Sequence, residues 1–201
     1  MMKRRSVQIA AGVLLLGVFA LGVAVGLDRL FTAGRPAAGV QAASTPAPSV
    51  PHITATLFYA TADGQALAGV RREVPQADGI IAQGRQILEA QMEAAPPPYL
   101  SVIPAATDVR AFYVTSNGDA FVDLTRAVTD AHPGGSTAEI LTVYAIVNAV
   151  TTNLPSVARV QILVDGKVVD SLAGHVDLRR LLPRDVTMLG DAPGDAGLAL
   201  Q

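Results

Sequence analysis

The chain contains no cysteine and no tryptophan, and its few phenylalanines and tyrosines bring the aromatic content to only 4%. Without cysteine there is no disulfide, no thiol nucleophile, no thiolate metal site and no lipidated N-terminal cysteine. So few aromatic rings also leave little for stacking single-stranded bases. Charge is sparse, at 16% of residues, and between His52 and Asp185 ten Arg or Lys stand against fourteen Asp or Glu, a net charge of -4. Such a balance gives the segment no electrostatic reason to seek phosphates, so nucleic acid is not an expected partner. The sequence has no Gly-x-Gly-x-x-Gly fingerprint, no Lys-Ser/Thr nucleotide loop and no Gly-x-Ser-x-Gly elbow, so no cofactor is expected.

Half of the 201 residues are hydrophobic, which is enough to bury one core of ordinary domain size. The longest apolar run lies first. Ser6 to Leu27 reads SVQIAAGVLLLGVFALGVAVGL, 22 residues without a formal charge, directly after Lys3, Arg4 and Arg5. As a helix it spans roughly 33 Å, enough to cross a bilayer. A signal-peptide core is shorter, about 7 to 15 residues, so a single-pass anchor is preferred over a cleaved signal. The basic flank predicts residues 1–5 in the cytoplasm and everything after the span outside the cytoplasmic membrane, periplasmic or extracellular. Residues 28–52, rich in Pro, Ala, Gly, Ser and Thr, read as a flexible linker. Residues 53–185 carry the domain, and 186–201 form a C-terminal tail whose Val186 to Leu189 could dock on it.

Within 53–185 the periodicities predict an α+β fold: a mixed β-sheet with two packed helices, in which a helix and a hairpin are repeated twice after an N-terminal hairpin. ITATLFY and QALAGVRREVP, around Asp63-Gly64, form the first hairpin. Gly79 to Ala94 brings Ile80, Ile81, Ile87, Leu88 and Met92 toward one helical face, with Asp78 as a candidate cap and Gly84 permitting close approach to a sheet. The second hairpin turns at Asn117-Gly118, where one strand face carries Val109, Ala111 and Tyr113 and the other Arg110, Phe112 and Val114. Ser136 and Glu139 have capping-box spacing at the head of a second, more buried helix that ends at Asn153 and Pro155. The last hairpin runs VARVQILV, Asp165-Gly166, KVVDSL.

Asp165, Asp170, His175 and Asp177 invite a reading as a metal or acid-base cluster. Gly166 instead assigns Asp165 to a turn, and Asp170 falls on the polar side or end of the returning strand. His175 and Asp177 would share a strand face, but two ligands do not make a metal site, and the sequence offers no convincing third, since Asp185 or His132 would have to fold back to supply it. Ser136 lacks a defined base, and its capping role accounts for it together with Glu139. Neither catalysis nor metal binding is expected.

SVIPAATDVRAFYVTSNGDAFVDLTR followed by GGSTAEILTVYAIVNAVTTNLPSVARVQILVDGKVVDSLAGHVDL resembles the GerMN domain, a family associated with sporulation and spore germination proteins and similar to ring-building domains of envelope-spanning assemblies. The resemblance covers Ile53 to Asp185 and rests on the order of the Asn-Gly hairpin, the STAEILTVYAIVNAV helix, the ILVDG turn and the AGHVDL segment. It implies a noncatalytic interaction domain, partnered by an envelope protein or by further copies of itself, with a cell-wall or polysaccharide ligand or an envelope hydrolase as alternatives. By the same resemblance Gly118, Asp123, Asn148, Asp165, Gly166, Gly174, His175 and Asp177 are fold or recognition positions.

Overall fold

The computed structural model describes residues 50–190. The expected N-terminal segment 1–5, the spanning helix 6–27, the linker up to residue 49 and the tail beyond 190 lie outside the described residues. Among the described residues no helix is long and apolar enough to cross a membrane.

The described chain is α+β with a mixed sheet. Strands β1 (His52–Ala60) and β2 (Leu67–Pro75) form an antiparallel hairpin, followed by helix α1 (Ile80–Met92). Strands β3 (Val109–Val114) and β4 (Asp119–Leu124) form a second hairpin. After a short helix α2 (Ala127–Asp130) comes the long helix α3 (Ser136–Asn153), which carries the chain back to β5 (Arg159–Val164), parallel to β4. A parallel neighbour needs such a crossover, whereas antiparallel neighbours need only a turn. Two short strands, β6 (Lys167–Val168) and β7 (Leu182–Pro183), pair antiparallel with different ends of β5.

Three details depart from the sequence reading. The first hairpin does not join the mixed sheet; it is a two-stranded sheet of its own. The two helix-hairpin units are unequal, because α2 intervenes before α3 and the returning strand expected over KVVDSL stops after two residues. Alternation along β3 is broken by a register shift between Val109 and Ala111, so buried Val109 and Phe112 are three residues apart and Tyr113 is 58% exposed.

The core lies where α1 and α3 meet the strands. Leu57, Ile87, Leu88, Val122, Ile146 and Ile162 are fully buried in it. The α3 helix buries eleven of its 18 residues and α1 five of 13, in keeping with their apolar patterns. Gly84 has the role foreseen for it: a Cβ there would stand 2.2 Å from Cε1 of the buried Phe112 ring. Ile81, placed on the apolar face by periodicity, is half exposed at the outer end of α1.

Candidate functional site

The residues with chemical potential fall into three places, and in each the side chain is occupied by the protein's own backbone or charges. The first is Glu139. It was expected to cap α3 with Ser136, but Gly135 is the cap residue and no side chain bonds the helix start. The Glu139 carboxylate instead points inward, fully buried, and accepts hydrogen bonds from the chain after β6: Leu172 and Ala173 N–H on Oε1 at 2.8 and 2.9 Å, and His175 N–H on Oε2 at 2.7 Å. His175 Nδ1 completes the set at 3.0 Å from Oε2. Burial pushes the Glu139 pKa up, but the Ala173, His175 and Leu172 N–H groups and the His175 ring outweigh it, and the carboxyl sits below its ordinary value. The chain leaves the β5 edge after Val168, and the N–H groups of Leu172, Ala173 and His175 beyond it turn toward Glu139.

His175 and Asp177 therefore do not lie together on a strand face. The His175 side chain is 45% exposed beyond its bond to Glu139. Asp177 faces Arg179 at 2.9 Å and Arg180 at 3.4 Å, and the Arg179 hydrogen bonds hold its pKa down at about 2. Asp170, which does not lie on a returning strand, receives Leu178 N–H on its backbone carbonyl at 2.8 Å. Gly174 takes a φ of 95° and donates to Ser171 Oγ at 2.8 Å, closing the turn that presents His175. These residues line a surface hollow of about 340 Å³. Among the described residues no group of three or more His, Asp or Glu is gathered where it could hold a metal ion. His132 packs elsewhere, against Thr142 Oγ1 at 3.2 Å, where burial lowers its pKa and the Glu139 charge opposes that shift.

The second place is the end of the mixed sheet. Asp165 and Gly166 both have positive φ, 50° and 75°, the conformation of a two-residue hairpin turn. Asp123 Oδ1 accepts Gly166 N–H at 2.7 Å, Arg110 lies 3.2 Å from Asp123, and Arg126 lies 3.2 Å from Asp165. Asp123, Asp165 and Gly166 thus come together, and what they hold is the turn. Gly118 lies at the opposite end of the sheet, where its φ is 78° and a Cβ would come within 2.6 Å of the Ser156 carbonyl oxygen.

The third place was not singled out from sequence, Asn148 excepted. Buried Gln91 donates to Phe58 C=O at 2.7 Å and accepts from Phe58 N–H at 2.8 Å. Asn153 treats Thr56 the same way, at 2.7 and 2.8 Å. Both sit on the side of β1 that faces away from β2, and Leu100 pairs with Ala60 further along that edge. Asn148 applies the same geometry to Asp185, donating to its C=O at 2.7 Å and accepting from its N–H at 3.0 Å. Gln91 could have been found, because it stands four residues after Ile87 and three after Leu88, inside the apolar stripe where an amide needs a partner.

The other edge of the first hairpin differs. The N–H and C=O groups of Gly69, Arg71 and Glu73 point away from β1, and all three residues are exposed. Among the described residues, Leu67 alone, at the start of β2, is covered there, by Met188 C=O at 2.7 Å and Gly190 N–H at 2.9 Å. That is the docking anticipated for Val186 to Leu189. A cavity of about 580 Å³ opens between Leu100, Val102, Pro104 and the Gly134-Gly135 entry to α3; its walls are mostly apolar and carry no ionisable side chain.

The family profile described as "Germane: Sporulation and spore germination" matches residues 56–170. Among solved structures, the first GerMN domain of the sporulation protein GerM from Bacillus subtilis is similar, with 16% sequence identity, 66% of this chain and 98% of that chain covered, and a TM-score of 0.52. The tandem GerMN domains of the same protein are similar at 15% identity and a TM-score of 0.52, over 67% of this chain and 45% of that one. The chain therefore spans under half the length of the tandem structure. At these identities the likeness concerns the fold. No curated protein matches the sequence.

Proposed function

The chain belongs to the Germane sporulation and spore germination family, and from that premise we propose that it is a noncatalytic, membrane-anchored protein whose domain acts outside the cytoplasmic membrane in protein interaction or envelope assembly. The observation that carries this reading is the engagement of the chemistry-bearing side chains. Glu139 holds backbone N–H groups, Asp123 and Asp165 hold a turn with Arg110 and Arg126, and Asp177 is taken by Arg179 and Arg180. A catalytic constellation needs a nucleophile or acid-base group free to meet substrate in a cleft. What this surface offers instead is an open strand edge and an exposed Tyr113 beside its cross-strand neighbour Phe121.

Anchorage rests on the charge-free run 6–27 behind three basic residues, with 28–52 as the linker to the domain. Gly118, Asp123, Asn148, Asp165, Gly166 and Gly174 act as fold positions. The exposed parts of His175 and Asp177 remain open to a partner. That partner is an envelope protein or a further copy of the chain, and a cell-wall polymer is the alternative. Family membership does not require that the organism form spores.

Photo-crosslinking in cells from a probe at Tyr113, followed by identification of the captured proteins, tests this reading. Discrete adducts with membrane or exported proteins are expected. Recovery of monomer alone, under conditions that keep membrane complexes intact, would contradict it, and retention on isolated wall polymer would favour the alternative.

A further inference from the structure

We propose that the outer edge of β2 is the surface through which two copies of this chain pair, antiparallel and about a two-fold axis at Arg72. This deepens the interaction reading above and rests on it. In the β1–β2 register, Thr56 lies opposite Arg71, and Thr56 N–H is turned away toward Asn153, so the N–H of Arg71 likewise points outward from the hairpin. By the alternation of a strand, Gly69 and Glu73 do the same. These outward groups have no hydrogen-bond partner among the described residues, whereas on β1 the outward groups of Thr56, Phe58 and Ala60 are closed by Asn153, Gln91 and Leu100.

The side chains select a register. With the axis at Arg72, Arg71 of each copy stands opposite Glu73 of the other on one face of the ribbon, two opposite-charge pairs related by symmetry. Both residues present outward N–H and C=O groups, so each opposed pair also exchanges two backbone hydrogen bonds. On the other face Val70 lies opposite Val74, which each copy already buries in its own core, so that face carries no charge conflict. Arg72 meets its own copy on the axis, but each guanidinium is already neutralised by Glu93 at 2.8 Å. An axis at Arg71 would set Arg71 against itself, and one at Glu73 would do the same with glutamate. An axis nearer the turn would need Leu67, whose edge is already held by Met188 and Gly190. Of these axes the one at Arg72 pairs opposite charges and leaves Leu67 out of the pairing, with the two full Arg71–Glu73 exchanges flanked by a single Gly69 N–H to Pro75 C=O bond on each side.

The absence of native cysteine makes the register directly testable in the full-length, membrane-inserted chain. In the proposed pairing the two Cα atoms at position 72 form a non-hydrogen-bonded pair about 4.5 Å apart, within disulfide range, whereas the two at 71, or the two at 73, lie diagonally about 7–8 Å apart. R72C is therefore expected to form an intermolecular disulfide under mild oxidation, and R71C and E73C to form little. A charge swap gives a second test that leaves Arg72 in place. R71E or E73R alone is expected to weaken self-association about tenfold, by turning two attractions into repulsions, and the R71E/E73R double variant to restore it. Equal crosslinking at all three positions, none at 72, or no rescue by the double swap would overturn the pairing. If the edge is covered instead by the chain's own residues after Gly190, R72C stays monomeric and the single swaps leave the oligomeric state unchanged, which also overturns it. Adducts with other envelope proteins from Tyr113, in the same cells, would leave the broader interaction reading standing.

Discussion

The two edges of the first hairpin are built from strands of equal length and opposite fates. From Thr56 onward the outer edge of β1 is closed: Asn153 on Thr56, Gln91 on Phe58, Leu100 on Ala60. Along β2, among the described residues, Leu67 alone is covered, and Gly69, Arg71 and Glu73 are exposed. An unpaired edge invites strand pairing, and proteins either cover such edges or use them. Here two helices each contribute an amide that imitates a neighbouring strand, one N–H and one C=O at a time. The difference teaches where the domain commits polar groups to its own fold and where it leaves them for a partner.

Substitutions can break the closed side of this contrast and leave the open side untouched. The largest effect is expected for Q91M, which keeps the side-chain volume but leaves Phe58 N–H and C=O buried without partners. Each such group costs about 1–3 kcal/mol, so chemical denaturation should report a loss of about 3 kcal/mol. E139Q comes next, at about 2 kcal/mol, because its amide NH2 would face N–H donors that now share a carboxylate. Glu139 also sets a pH dependence. Its folded pKa lies below its ordinary value, so its contribution is complete above that value and is lost as pH falls through the folded one. Thermal melts from pH 7 to pH 3 should show an acid limb that E139Q flattens.

G84A is expected to destabilise by about 1–3 kcal/mol despite better helix propensity, because the new methyl meets the Phe112 ring. H175A removes one of four donors and leaves the His175 backbone N–H in place, so a loss of about 1 kcal/mol is expected with the fold intact. Smallest of all, R71E on the open edge should change the stability of the isolated chain by under about 0.5 kcal/mol, while altering self-association. Equal destabilisation by Q91M and R71E would erase the contrast between the edges.

Local geometry was legible in the sequence, and long-range partners were not. Asn117-Gly118 and Asp165-Gly166 announce turns because the backbone there needs positive φ, which few residues accept, and Gly84 announces a close approach because it lacks a Cβ. The same letters mislead at Glu139. Ser-x-x-Glu is the spacing of a capping box, yet nothing local distinguishes a carboxylate that returns to its own helix from one that reaches a loop 33 residues away. His175 and Asp177 looked paired only on the assumption of a strand, and the segment that carries them is an irregular turn bonded to Glu139. Asn153 read as a helix stop, which it is, but its hold on Thr56 across 97 residues is a property of the packed fold. The open edge of β2 could not be seen at all, because an edge is defined by what fails to pair with it.

Hydrogen exchange of individual backbone amides in the full-length chain, read at low and high protein concentration, tests the contrast most directly. The amides of Thr56 and Phe58 should be protected at both concentrations by the Asn153 and Gln91 side chains. Those of Arg71 and Glu73 should exchange rapidly when the protein is dilute and become protected when it is concentrated. Rapid exchange at Thr56 and Phe58, or exchange at Arg71 and Glu73 that does not respond to concentration, would contradict an edge closed on one side and reserved for a second copy on the other.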